Sequence, residues 1–214
     1  MSNFEYIIAS LPVLLPDYRY AEGKGFGDFI AEIRENLSDA DNTTLDLLLD
    51  GFDETKLGED FYAGALRHRN RFIRNWFRFD LGLRNAKVRY LNARLGRPAD
   101  LDVLTGENPE AEDADIEGFR FRAEELDEAG AISDILAEEN LLAREKALDD
   151  LSWKKADELT VFDYFDLEAV LAFVVKLRIA DRWLVLDPEE GRERFRRLVK
   201  EVKGTFNLDK IHIS

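Results

Sequence analysis

The chain has 214 residues, 45% hydrophobic and 35% charged, with no cysteine and a formal net charge of −15. That composition supports a packed core and argues against wholesale disorder. It excludes disulfides and thiolate zinc sites, and it disfavours a free nucleic-acid binder, which needs Lys and Arg in excess.

The first residues, Met1-Ser2-Asn3-Phe4-Glu5, lack the basic start of a secretory signal. From Tyr6 to Pro16 the chain is apolar, and Pro12 and Pro16 keep it from being a long helix. The expectation is a buried extended stretch or a single strand. Gly23, Gly25 and Gly27 follow, and helical spacing begins near Asp28, with Phe29, Ile30, Ile33 and Leu37 on one face. Ser38 reads as the N-cap of a second helix that ends at Gly51.

A long helix is predicted from about Glu59 to Leu95, stopped by Gly96-Arg97-Pro98. At 100° per residue, Phe61, Leu66, Phe72, Ile73, Trp76, Phe77, Phe79, Leu83, Tyr90, Leu91 and Leu95 form one wide apolar face. Arg67, Arg71, Arg74 and Arg78 form a stripe opposite, which Asn85, Arg89 and Asn92 continue. Gly82 is a candidate kink. Asp80, Arg84 and Lys87 intrude on the apolar face. Asp80 and Arg84 are four apart and can pair along the helix, either at the solvent boundary or as a partly buried structural ion pair joining two lobes.

Charge is unevenly spread. Residues 67–97 hold nine Arg, one Lys and one acid, whereas residues 100–128 hold twelve acids and two Arg. Either the two stretches neutralise each other within the fold, or the basic face meets an acidic partner. The acidic stretch, with Gly106 and Pro109, reads as a linker or loop over 99–115. Helical pattern resumes at about Ile116 and runs to about Leu159, with a break near Gly130. Asp166 caps a helix apolar on most sides, from Leu167 to Trp183, as suits a central core element. Its run Ala169–Val175 is the longest apolar run, seven residues, against about 20 for a membrane span. A last helix opens with Asp187, Pro188 and Glu190, carries Phe195, Leu198, Val199 and Val202 inward, and stops at Gly204.

The pattern is therefore all-α: a multi-helix bundle of two or more lobes sharing one long helix, with a short extended N-terminal segment. The lobes are residues 1–98, with the long basic helix 59–95, and 116–214. No catalytic, metal-binding or cofactor-binding residues are expected. His68 and His212 are far apart, and His68 stands among arginines that disfavour its cationic form. There is no His-Glu-x-x-His or Glu-x-x-His for a helix-borne metal, and the Gly-Lys-Gly-Phe-Gly at 23–27 lacks the ending of a phosphate loop.

Three strings carry a resemblance. They are Tyr6-Ile7-Ile8-Ala9-Ser10-Leu11-Pro12, the run from Arg69-Asn70-Arg71-Phe72-Ile73-Arg74-Asn75-Trp76 to Gly96, and Phe165-Asp166-Leu167-Glu168 running on to Trp183 and the Gly191 helix start. Together they resemble a bacterial family of unknown function encoded among V-type ATPase genes. That family is similar to a short version of the C-type subunit of V/A-type ATPases (d-type in eukaryotes). The resemblance implies a non-catalytic subunit that couples the central-stalk subunits (D and F) to the membrane rotor ring. It further implies a cytoplasmic protein, peripheral on the inner membrane through the complex, with no cofactor and no span of its own. The chain is shorter than a three-lobed C-type subunit, which implies a reduced or absent lobe, and it has Arg71 where the related proteins are expected to have proline. The wheel, not the resemblance, offers Arg67, Arg71, Arg74, Arg78 and Arg89 as the partner-binding stripe. The alternative function is a free-standing helical scaffold or regulatory protein.

Overall fold

A computed structural model describes residues 3–15, 17, 18, 20, 24–106 and 126–186. Among them are α1 (Phe4–Ser10), α2 (Phe26–Glu35), α3 (Asp39–Asp50), α4 (Glu59–Leu66), α5 (Arg71–Arg94), α6 (Ala129–Ala137), α7 (Leu141–Leu159) and α8 (Leu167–Leu186), and no strand. The protein is an all-α multi-helix bundle, as its periodicity predicts. Residues 107–125, and the last helix expected from Asp187 to Gly204, lie outside the described residues.

Local chemistry sets most of the helix starts. Ser38 accepts from the Asp41 N–H and caps α3, and Asp166 accepts from the Ala169 N–H at the start of α8. Both follow the sequence reading. The N-terminal segment does not: it forms α1 rather than an extended stretch. Asn3 caps it by accepting from the Tyr6 N–H at 3.1 Å. Both prolines lie beyond its end, where Pro12 forces only Leu11 into extended backbone (ψ 144°).

The expected helix 59–95 is two helices. Asn70 leaves the helical region (ψ 128°) and its side chain accepts from the Ile73 N–H at 3.1 Å, so α5 starts afresh. His68 Nδ1 accepts from the Asn70 N–H at 3.1 Å and fixes the intervening turn. A side chain that competes for nearby backbone groups ends one helix and caps the next. α5 then continues unbroken through the buried Gly82, so no break falls there. α6 begins at Ala129 after a turn over 126–128, beside the break expected near Gly130, and a further break comes at Glu138–Asn140, where Asn140 caps α7 by accepting from the Ala143 N–H.

α5 lies against α4, α6, α7 and α8, and α8 in turn against α1, α2, α3 and α7. One core cluster results, running from Ile7, Ile33 and Leu48 through Phe77 and Leu81 to Val170, Val174 and Val175. The two halves of the chain thus share a core, with α8 as its apolar axis. Phe77 marks a three-way junction. Its ring lies 5.0 Å from Phe61 and 6.5 Å from Tyr62, both edge-on, and it fills the space over Gly51 at the end of α3. A Cβ at Gly51 would stand 2.4 Å from the Phe77 Cε1. Gly51 has φ −64°, so alanine fits the backbone but not the space. Gly51→Ala is expected to cost about 1–3 kcal/mol, the range for overpacking a filled core, read as a lower urea midpoint.

Candidate functional site

The arginine stripe is mostly engaged within the chain. Arg71 Nη2 donates to Asp163 Oδ2 at 2.6 Å, across to the turn between α7 and α8, and Asn70 Nδ2 donates to Glu168 Oε1 at 3.1 Å beside it. Arg74 Nη1 donates to the carbonyls of His68 and Arg69, both at 2.7 Å, and closes the α4–α5 turn. Arg89 Nε donates to Asp100 Oδ1 at 2.9 Å. Arg67 ends α4 and is exposed, as is Arg78. Three of the five, Arg71, Arg74 and Arg89, thus brace the fold by these bonds. His68 has its pKa lowered by burial first and by Arg69 and Arg74 next, so its neutral form is favoured, as read from its neighbours.

Asn85 and Asn92 do not continue the stripe: both are buried. Asn85 Nδ2 donates to the Leu104 carbonyl at 2.8 Å, while its Oδ1 accepts from the Leu104 N–H at 3.1 Å. Asn92 Nδ2 donates to the carbonyls of Ala99 and Leu101 at 3.2 and 2.7 Å. These amides strap residues 99–104 along α5 and give backbone groups of this non-helical stretch the hydrogen-bond partners that a helix would otherwise supply. The strap closes at Gly106, whose N–H donates to Glu59 at 2.7 Å and whose positive φ of 69° favours glycine.

Asp80 and Arg84 do not meet as an ion pair. The carboxylate instead accepts from Tyr62 Oη at 2.7 Å, tying α5 to α4, and Arg84 and Lys87 act on it only at longer range. Burial dominates and raises the Asp80 pKa, against the opposing Tyr62 hydrogen bond and the two cations. A raised folded-state pKa gives stability that is complete below the unfolded value, near 3.8, and is lost as pH rises through the folded one. Asparagine at this position accepts from Tyr62 but does not titrate. The unfolding free energy of wild type minus that of Asp80→Asn is therefore expected to fall from pH 4 upward and then level off. Urea titrations across that range check it, and a flat or rising difference would show that the cations outweigh burial.

A second polar knot holds the N-terminal segment. Tyr18 is buried with φ 65°, a backbone region costly for a side-chain-bearing residue. Its ring sits 5.6 Å from Trp153 and 5.7 Å from Trp183, with Lys146 Nζ 4.8 Å from its centroid, and its hydroxyl donates to Asp150. Burial first, and Asp150 next, push its hydroxyl pKa well up. Buried Asp149 accepts from Trp183 Nε1 at 2.6 Å and from Arg182. Residues from α7, α8 and the α1–α2 connection converge here, a junction that charge pairing within single helices does not reveal.

Two exposed apolar groups lie at opposite ends of the body. The Arg71–Asp163 pair sets the start of α5 beside the end of α7, and Arg144, 5.8 Å above the Tyr90 ring, sets the end of α5 beside the start of α7. The two helices are therefore antiparallel with matched ends. At one end, the α7–α8 turn exposes Val161, Phe162 (84%), Tyr164 (69%) and Phe165. At the other, Leu91, Leu95, Leu141 and Leu142 are exposed although two of them belong to the predicted apolar face. The sequence reading missed the aromatic turn. Its signal is the run Val161-Phe162-Asp163-Tyr164-Phe165, an apolar stretch without helical period just before a cap.

Among the described residues, no group of three or more His, Asp or Glu is placed to hold a metal ion. No helix among them is long and apolar enough to cross a membrane. A family model described as a protein of unknown function (DUF2764) matches residues 53–205. No curated protein and no solved structure matches the chain.

Proposed function

We propose, for a chain that belongs to the DUF2764 family, that it is a non-catalytic coupling subunit of a V/A-type rotary ATPase, joining the central-stalk subunits (D and F) to the membrane rotor ring. The observation that carries this reading is the pair of exposed apolar ends separated by a continuous helix. α5 has 24 residues, about 36 Å at 1.5 Å per residue. It is braced along its length by α4, α6, α7 and α8. A part that transmits torque needs contact surfaces at two places and stiffness between them, and solvent-facing apolar groups of this kind mark interaction sites. The three resembling strings, two of them on α5 and α8, support the choice of assembly. On this reading the protein works in the cytoplasm, held at the inner membrane through the complex.

Affinity purification of the full chain from its native membrane fraction tests this. Recovery with ATPase catalytic and rotor subunits is the expected result. Recovery only as a soluble monomer would favour a free-standing helical scaffold.

A further inference from the structure

We propose that in the free protein the chain's own residues 188–203 dock as a helix on the end of the body where Leu91, Leu95, Leu141 and Leu142 lie, and so form a built-in cover of that end. The coupling reading takes this end as one of two contact surfaces. The inference goes beyond it by naming what occupies the leucines before a partner arrives, and it holds whichever complex the protein joins.

The leucines are short of burial. Leu91 in the last turn of α5 and Leu95 at its C-cap are 55% and 54% exposed, and Leu141 and Leu142 in the first turn of α7 are 60% and 63% exposed. Arg144 over the Tyr90 ring holds these two helix ends side by side. Single exposed leucines are ordinary, but four gathered at one end mark a contact surface.

The chain itself arrives there. Lys176 bonds Asp157 and Arg182 bonds Asp149, so α8 runs antiparallel to α7. Arg182 also comes within 4.0 Å of Glu145, which sets the end of α8 at Leu186 beside the first turn of α7. Residues 187–214 continue from that point. Pro188 lacks an N–H and disfavours helical backbone at Asp187, so the sequence opposes a simple extension of α8. Beyond it, Phe195, Leu198, Val199 and Val202 recur at the spacing of one helical face. A helix this short is stable in water only when such a face is buried.

Reach and tether select the occupant. A helix begun at Pro188 spans about 24 Å by residue 203, whereas the 20 residues of α8 put the aromatic turn roughly 30 Å away. The leucines therefore lie within reach of Phe195 and Val202, and the aromatic turn does not. So short a link holds the segment at about millimolar effective concentration, which a second copy or a foreign protein has to match in solution. A partner that uses the leucine end gains it only as the segment leaves.

The test uses the full chain, whose lack of cysteine lets paired labels be placed at will. Nitroxides at Glu139→Cys and Lys200→Cys are expected to give one narrow distance by pulsed electron paramagnetic resonance, shorter than that between Tyr164→Cys and Lys200→Cys. Phe195→Ser with Val199→Ser should abolish the narrow distance, and so should Leu91→Ser with Leu142→Ser. Leu91 and Leu142 are exposed, so circular dichroism of that variant should match wild type and separate lost docking from lost folding. A broad distribution in the chain without serine substitutions, a shorter distance to Tyr164 than to Glu139, or a narrow distance that survives both serine pairs would overturn the proposal. So would a narrow distance lost on dilution with unlabelled chain, which marks a second copy as the occupant. None of these measurements involves ATPase subunits, so the cover and the coupling role stand or fall separately.

Discussion

Replacing Phe77 by alanine is expected to lower the unfolding free energy by about 3–5 kcal/mol, the range for a fully buried aromatic truncated in a core that cannot collapse. The ring is 1% exposed and joins α3, α4 and α5 through Gly51, Phe61 and Tyr62. Phe77→Leu retains most of the apolar volume and should recover more than half of the loss. The decisive measurement is a double-mutant cycle with Gly51→Ala. The nearest atoms to the added Cβ are Phe77 Cε1 and Cζ. Once the ring is gone, the new methyl enters the vacated space, and Gly51→Ala should become neutral or stabilising. A coupling of about 1–3 kcal/mol is expected. Additive costs would show that the Leu48 carbonyl, 3.1 Å from the same Cβ, is the true obstacle.

Asp149→Ala is expected to cost about 2–4 kcal/mol. It leaves Trp183 Nε1 without its acceptor, and an unmade buried hydrogen bond costs about 1–3 kcal/mol. It also frees Arg182, whose side chain is 45% exposed and regains water, so that share lies at the low end. The ionised carboxylate is itself disfavoured by burial, which raises its pKa despite Arg182, Trp183 and Lys87. The pair therefore sets the geometry of α7 against α8 more than it stabilises, while losing one member is costly. Asp149→Asn retains an acceptor for Trp183 and should restore much of the loss. Because Tyr18 stacks on Trp183, Asp149→Ala should also change the near-ultraviolet circular dichroism and expose residues 17 and 18 to proteolysis first. A loss of stability with an unchanged aromatic spectrum would separate this carboxylate from the seating of Tyr18.

Helix identity and several boundaries were legible because they depend on neighbours in sequence. Ser38 and Asp166 bond the backbone three residues on, and the spacing of Val170, Leu171, Val174 and Val175 makes α8 a core helix whatever packs around it. The acidic stretch after Asp100 and the arginine-rich stretch before it were equally plain. So was the effect of Arg69 and Arg74 on His68, which needs only residues within a turn or two.

Tertiary structure alone decided what each face meets. A helical wheel gives the angle of a side chain but not the neighbour opposite it. Asn85 and Asn92 fall near the arginines on the wheel, yet they are buried because residues 99–104 lie over them. Leu91 and Leu95 fall on the apolar side, yet nothing among the described residues covers them. Arg71 finds Asp163 92 positions away, Tyr18 finds Asp150 132 positions away, and Asp80 takes Tyr62 from the preceding helix instead of Arg84 from its own. By itself the sequence determined an all-helical chain with its caps, its apolar axis and its uneven charge. The fold decided how arginines of the stripe brace the bundle, and it left the aromatic turn at one end uncovered, because pairing and burial depend on distances that periodicity does not encode.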